Sequence, residues 1–236
     1  MVWVSARYLF ASAFSYRIPY FSSSYALSAP APSPSTIKLA IIATAINRTG
    51  NVEKGNLLFE QLKVANTATE LPEKIALFKA FMKRLKQKRK GKEGKITTPW
   101  GTLTESFEST FGIREYILYN GPITIYIETP EENAEEVRMT LKNIQYFGTS
   151  DSLCTCLESK FAEPNMLNCA KPVKEQAKPT TGTVFLLSDF TEKTTFNSVN
   201  PFSEQKLKKG EIALKPYIFP IQVEKKDKNC TIYRRL

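Results

Sequence analysis

Apolar residues recur along this chain at two spacings, and each predicts its own element. In "VWVSARYLF", residues 2–10, Val2, Val4, Ala6, Tyr8 and Phe10 alternate with Trp3, Ser5, Arg7 and Leu9. A period of two reads as a strand whose second face, through Trp3 and Leu9, is partly apolar as well. Ser33 before Pro34 has the form of a helix N-cap followed by proline at the first helical position. The helix it opens runs to about Asn47 with few polar residues, and a helix apolar nearly all round is a buried one. Gly50 and Gly55 bracket its exit. Over residues 71–90, Leu71, Ile75, Phe78, Met82 and Leu85 fall three and four apart, which predicts an amphipathic helix. "KGKEGKITTPWGTLTES" follows as a loop or arm with a lone Trp100.

"IREYILYNGPITIYIE", residues 113–128, predicts a hairpin: apolar-rich strands on either side of Asn120-Gly121. Thr129-Pro130-Glu131-Glu132 then reads as a capping box for a helix that buries Ala134, Val137, Leu141 and Ile144 and stops before Gly148. Beyond it lie a cysteine-bearing segment, a polar stretch over 163–182 and a strand "VFLLSDF". The last strand region, "EIALKPYIFPIQVE", carries Pro216 and Pro220, which imply an edge or twisted strand. The order predicts an α+β fold with a ferredoxin-like (RRM-like) β-α-β-β-α-β core. The core occupies residues 1–157 and carries a basic inserted arm at about 71–104. A smaller β-rich C-terminal region covers 158–236.

Charge adds a partner to this picture. The 236 residues carry a formal net charge of +10, and residues 83–95 hold eight basic side chains against Glu93 alone. A stripe of that density fits a polyanion, nucleic acid or an anionic membrane; the plainer reading is a solubilising helix face. The chain has no histidine, which removes every catalytic or metal site that depends on one. Cys154, Cys156, Cys169 and Cys230 fit none of the usual zinc spacings and are expected to be reduced thiols, with no metal or cofactor. "ALSAPA" resembles a cleavage site, but Ser5, Arg7, Ser12 and Ser15 interrupt every apolar core before it. "IKLAIIATAI" is about half the roughly 20 residues a bilayer span needs, so the expected location is the cytoplasm.

Three stretches, in order, resemble the Cas-five family of CRISPR-associated subunits, within the RAMP superfamily. "FSYRIPYFSSSYALSAPAPSPSTIKLAIIATAI" is similar to its opening strand, arginine-bearing loop, prolines and apolar helix. The basic, Trp-bearing insertion stands where that family carries a protruding thumb, and "IQYFGTSDSL" is similar to its glycine turn. The resemblance covers most of residues 1–157; "APSPST" replaces a cleaner double proline, and the arm is poor in glycine.

The resemblance implies a non-catalytic subunit of a type I (Cascade-like) surveillance complex. It would grip the 5′ handle of the guide RNA (crRNA) and cap a filament of Cas-seven backbone subunits. The complex's large subunit and target DNA near the PAM are its other implied partners. The chemistry agrees: phosphates need Arg, Lys and backbone N–H groups, and splayed bases need aromatic platforms. Arg7, Tyr16, Arg17, Tyr20, Ser22, Ser23 and Ser24 offer both kinds. Lys38, the turn Gly148, Thr149 and Ser150, and the arm residues Lys83, Arg84, Lys88, Arg89, Lys90 and Trp100 complete the expected RNA-binding set.

Alternatives remain at this point. Tyr16 and Tyr20 could be core residues, and Trp100 could pack on the 71–90 helix instead of wedging between nucleotides. One branch of the family cuts repeat RNA without metal; here that would fall to Tyr16 or Tyr20 with Lys38. A general ferredoxin-like RNA-binding protein is the third reading.

Overall fold

The computed structural model describes the chain except for residues 20, 21, 23, 89–93, 174–180, 201 and 202, and the side chains of Arg84, Leu103 and Glu105. The elements are β1 (Val2–Phe10), β2 (Tyr25–Ala26), α1 (Pro34–Thr49), α2 (Val52–Leu62), β3 (Thr67–Glu70), β4 (Lys74–Gln87), β5 (Gly94–Thr98) and β6 (Gly101–Glu105). There follow β7 (Phe107–Tyr119), β8 (Ile123–Thr129), a 3-10 turn (Glu131–Asn133), α3 (Ala134–Lys142), β9 (Cys154–Phe161) and β10 (Cys169–Pro172). The chain ends through β11 (Thr183–Phe190), α4 (Phe196–Val199), β12 (Ile212–Phe219), β13 (Ile221–Lys226) and β14 (Cys230–Arg235). This is a mixed α+β structure made mostly of strands. A seven-stranded sheet has the order β11-β12-β10-β3-β8-β1-β9, a five-stranded one β13-β14-β4-β7-β2, and β5 and β6 form a ribbon of their own.

The alternation in residues 2–10 has the predicted consequence. Val4, Ala6 and Tyr8 are buried in one core with Ile37 and Ile41 of α1 and Val137 and Leu141 of α3. Inside it the Tyr8 hydroxyl donates to the Leu141 carbonyl at 2.6 Å, supplying a partner to the last turn of α3. On both sides β1 pairs antiparallel, with β8 and with β9, and β3 pairs antiparallel with the far side of β8. Helix α1 starts as expected: the Ser33 side chain accepts from the Thr36 amide, and Pro34 is its first residue. It ends at Gly50, whose φ of 65° is the left-handed cap that glycine adopts without strain. Gly55 is no part of that exit. It lies within α2, where a Cβ would come within 2.4 Å of the Ile46 side chain, so the glycine admits the close approach of α1.

Four local expectations are corrected. Residues 71–90 are not a helix, for β4 pairs with β7 residue by residue from Ile75 opposite Tyr119 to Gln87 opposite Phe107. Ile75 and Leu77 share the buried face at its base, so the operative period is two; the threefold and fourfold spacings mix residues from both faces. Nor does Asn120-Gly121 close a hairpin, since β7 and β8 belong to different sheets. A two-residue turn there needs the residue-122 amide to bond back to Tyr119, and Pro122 has none. Thr129 caps no helix: it is fully buried as the last residue of β8, opposite Val2, and the chain enters α3 through the 3-10 turn. Finally, Pro216 lies in β12 between β11 and β10, not on an edge. The short β10 ladder ends beside it, where the Val173 amide donates to the Pro216 carbonyl at 2.9 Å.

The insertion thus runs from β4 to β7, and residues beyond β9 add strands to both sheets. One buried ion pair ties these later strands to α1. Lys38, with no exposed side-chain surface, reaches Asp189 Oδ1 of β11 at 2.7 Å and the Lys63 carbonyl at 2.9 Å; Lys215 approaches Asp189 Oδ2 at 3.3 Å. Burial lowers the Lys38 pKa, and Asp189 opposes that shift. Removing one partner of a buried pair costs about 3–5 kcal/mol because the other charge stays behind. Asp189→Asn is therefore expected to lower stability by that order at neutral pH. A base with a depressed folded pKa favours folding as pH climbs from that pKa towards the unfolded value. The deficit of Asp189→Asn should accordingly shrink in mildly alkaline buffer, as measured by denaturant titration across pH; a pH-independent deficit would contradict this assignment.

Candidate nucleic-acid interface

The loop between β1 and α1 lies along β7, at the base of the inserted arm. Phe14, wholly buried, exchanges both backbone bonds with Ile117, at 3.2 and 2.7 Å. The Ser28 hydroxyl donates to the Glu115 carbonyl at 2.7 Å, and its amide donates to the Glu115 carboxylate at 3.0 Å. Tyr119 donates to the Pro30 carbonyl at 2.8 Å, and the Ile113 amide to the Ser24 carbonyl at 2.8 Å. Tyr25 and Ala26 then run parallel to Ile113 and Arg114 as β2. Arg17 bridges to Ser28 across the loop and is exposed, as are Ser22 and Ser24. The Lys79 ammonium of β4 lies 5.4 Å over the Tyr25 ring, and a hydrogen bond to Tyr25 holds its pKa above the ordinary value. Burial raises the Glu115 carboxyl, against the Ser28 amide and Lys79, which favour its charge.

The glycine turn arrives from another part of the chain. Gly148, at φ 78°, places its Cα so close to α1 that a Cβ would meet the Thr36 methyl at 3.1 Å. Ser152 closes the turn, donating to the Phe147 carbonyl at 2.7 Å while accepting from the Phe147 amide at 3.0 Å. Thr149 and Ser150 face solvent, the Thr149 hydroxyl bonded to the Asp151 carboxylate. Burial, followed by the nearby Tyr119, Cys154 and Asp151, pushes the Tyr16 phenol well above its usual pKa. Gly148 lies against Thr36 and the Ala11 amide donates to the Leu153 carbonyl at 3.0 Å, so the loop, the first turn of α1 and the glycine turn converge.

The arm carries the charge. On β4, Lys83 and Lys86 are exposed, and Lys88 just beyond its end is half-buried; the Arg84 side chain, like Tyr20, Ser23, Arg89 and Lys90, lies outside the described residues. Trp100 sits in the turn between β5 and β6 and is 93% exposed, so it does not pack on residues 71–90. Alternation puts Lys79, Phe81, Lys83 and Leu85 on one face of the arm, across from Glu115, Ile113, Phe111 and Ser109, with Phe107 beyond them opposite Gln87.

Two expected contacts are corrected by burial. Tyr16 is packed against Phe14 with its hydroxyl enclosed, and Lys38 is committed to Asp189 inside the core, so neither presents its polar group to a ligand. The pair proposed to cut RNA is therefore not assembled from Tyr16 and Lys38. Arg7 is exposed on the face of β1 away from α1 and α3, opposite Thr124 and Glu158. The sequence reading missed Tyr25, Lys79, Phe81 and Phe111. For Lys79 and Phe81 the signal was the two-residue alternation of 79–85, hidden by the helical spacing of the same stretch. The four cysteines are free thiols, and burial raises Cys154 and Cys169 to about 12. Among the described residues no group of three or more Cys, Asp or Glu could hold a metal, and no helix is long and apolar enough to cross a membrane.

No family model matches the chain. Among curated proteins it is 36% identical over 211 residues to "CRISPR-associated protein Cas5" of Archaeoglobus fulgidus, covering 86% of each chain. The chain belongs to the Cas5 family. Two solved structures also align with this Cas5 chain. The crystal structure of a CRISPR protein from Archaeoglobus fulgidus has a TM-score of 0.48 at 12% identity, covering 100% of this chain and 92% of that one. A chain of a CRISPR RNA-guided surveillance complex has 0.44 at 14% identity, covering 91% and 88%.

The buried Tyr16 hydroxyl has no hydrogen-bond partner among the described residues. An unpaired buried hydroxyl costs free energy, so deleting it should not destabilise the protein. Tyr16→Phe is expected to melt at or slightly above the wild-type temperature, with any nucleic-acid affinity unchanged. A clear loss of either, by calorimetry or by binding titration, would show that the hydroxyl has a partner in solution.

Proposed function

We propose that this Cas5-family protein is a non-catalytic, guide-RNA-binding subunit of a type I CRISPR surveillance complex. It grips the 5′ handle and caps the filament of Cas-seven backbone subunits, next to the large subunit and the PAM end of the target DNA. One observation carries the reading: the loop of Arg17, Ser22 and Ser24 is hydrogen-bonded onto the base of the basic arm. Exposed cations, hydroxyls and aromatic rings from distant parts of the chain thereby occupy one region, as single-stranded RNA requires. The ferredoxin-like reading of the core is supported by the order β9-β1-β8-β3, antiparallel throughout, with helices after β1 and β8. The non-catalytic reading is supported by the burial of Tyr16 and Lys38. Repeat RNA incubated with the protein in EDTA should accordingly remain intact.

Binding of a handle-length RNA should weaken steeply with salt, since each phosphate neutralised on a single strand contributes about −0.7 to the log–log slope. Arg17→Ala should lower affinity without changing the melting temperature. Trp100→Ala, at a fully solvated tip, should also leave the free protein's stability intact while guide-containing complexes assemble poorly. A flat salt titration from low to moderate ionic strength would overturn the RNA-handle reading. Loss of stability in Arg17→Ala with binding retained would reassign that arginine to the scaffold.

A further inference from the structure

The arm has two faces of different character, and the reading above uses only its charge. On one face Phe81 and Phe111, from neighbouring strands, are 70% and 57% exposed, their ring centroids 5.4 Å apart and their planes within 19° of parallel. Because the two rings cover one face of each other, each keeps an outer face open to a third flat group. Lys83 stands directly across from Phe111 in the strand register, and Leu85 and Phe107 continue the apolar strip outward, 73% and 53% exposed. Toward the base the strip meets Ile113, whose amide binds Ser24, and then the Tyr25 ring under Lys79. The cations and the strip of rings alternate along a single surface that reaches the serine loop.

We infer that Phe81 and Phe111 form a stacking platform for unpaired bases of single-stranded RNA, making the serine loop, Tyr25 and the arm stem one continuous binding strip. The inference rests on the proposed RNA-binding function and adds to it a base-contacting site on the stem, separate from the Trp100 tip. Charge decides between nucleic acid and an apolar protein surface as the occupant. Lys79 and Lys83 lie on the aromatic face itself, where the carboxylate β7 contributes is the half-buried Glu115, across from Lys79 and bonded by the Ser28 amide; Lys86 and Glu108 pair on the opposite face. A surface of open rings set among cations complements bases joined by phosphates. Stacking of this kind tolerates any base identity, as a guide of variable sequence demands.

The test compares a single-stranded oligoadenylate with an abasic ribose-phosphate strand of equal length, bound to the full-length protein across a salt series. The wild type is expected to prefer the base-bearing strand by about 5- to 150-fold per stacked base. Phe81→Ala/Phe111→Ala should abolish most of that preference yet keep the salt slope, and Phe81→Tyr/Phe111→Tyr should restore it. Both residues are exposed, so circular dichroism melts of the two variants should match the wild type. Salt-dependent binding that ignores the bases, or a preference untouched by the double alanine variant, overturns the stacking platform and leaves the RNA-binding function standing. Binding of neither strand overturns both. Retained base preference together with failure of the double variant to associate with other subunits would assign the aromatic face to protein contact and overturn the inference.

Discussion

The architecture depends on a hydrogen bond that Pro122 cannot make. An amide at that position would let Asn120-Gly121 close as a tight hairpin and pair β7 with β8. Without it, the Asn120 amide instead donates to the Lys74 carbonyl at 3.1 Å, extending the β4–β7 ladder, and the chain turns at Gly121 into the other sheet. Pro220 stands at a similar crossing: Phe219 before it pairs with Thr183 in the larger sheet, and Ile221 after it pairs with Arg235 in the smaller. Because β7 is thereby kept from β8, one of its edges is free to receive Phe14, Tyr25 and Ala26 from the loop. Loop and arm meet for this reason. A paired β8 on that edge would have displaced the loop from the arm's base.

What could be read from the sequence follows from where each element's decisive partner lies. Strand β1 and helix α1 were legible because their signals are local: an apolar alternation, a serine cap, a proline and a terminal glycine. The buried set of α3 was legible for the same reason, since Ala134, Val137 and Leu141 repeat at the helical period and are buried. Strand β4 was misread because its identity is decided more than twenty residues away, in β7. The spacing of Ile75, Phe78, Met82 and Leu85 satisfies a helix, and the competing alternation through Ile75, Leu77 and Phe81 decides the element only once that partner is known. At the candidate site the exposed polar residues Arg17, Ser22, Ser24, Thr149 and Ser150 were legible from loop composition and family resemblance. The burial of Tyr16 and Lys38 was not, because it depends on β7, β9 and β11 closing over them.

A protein without histidine has few ways to do proton-transfer chemistry near neutral pH, and burial holds the Cys154 and Cys169 thiols in their neutral form. Its surface instead offers lysine and arginine, which stay charged across the physiological range, beside exposed aromatic rings. Such a surface suits the proposed grip on a strand by charge and stacking. Its grip is sensitive to ionic strength, because salt screens exposed charges.

The buried Lys38–Asp189 pair gives the C-terminal strands a part in this interface that no exposed residue reveals. Asp189 sits in β11 next to Ser188, whose hydroxyl lies 2.7 Å from that of Ser35 and 3.0 Å from that of Ser33. Ser33 is the N-cap of α1, so the same two residues of β11 hold the cap, the first turn and the second turn of that helix. Gly148 packs on Thr36 within that first turn, and the loop carrying Arg17 and Ser22 runs directly into it. An apolar pair at positions 38 and 189 would fill the core as well and avoid the desolvation cost. It would not fix the rotation of α1 about its own axis, because apolar contact is non-directional. A lysine reaching both a carboxylate and the Lys63 carbonyl adds two directional contacts to the helix whose first turn meets the glycine turn and the loop.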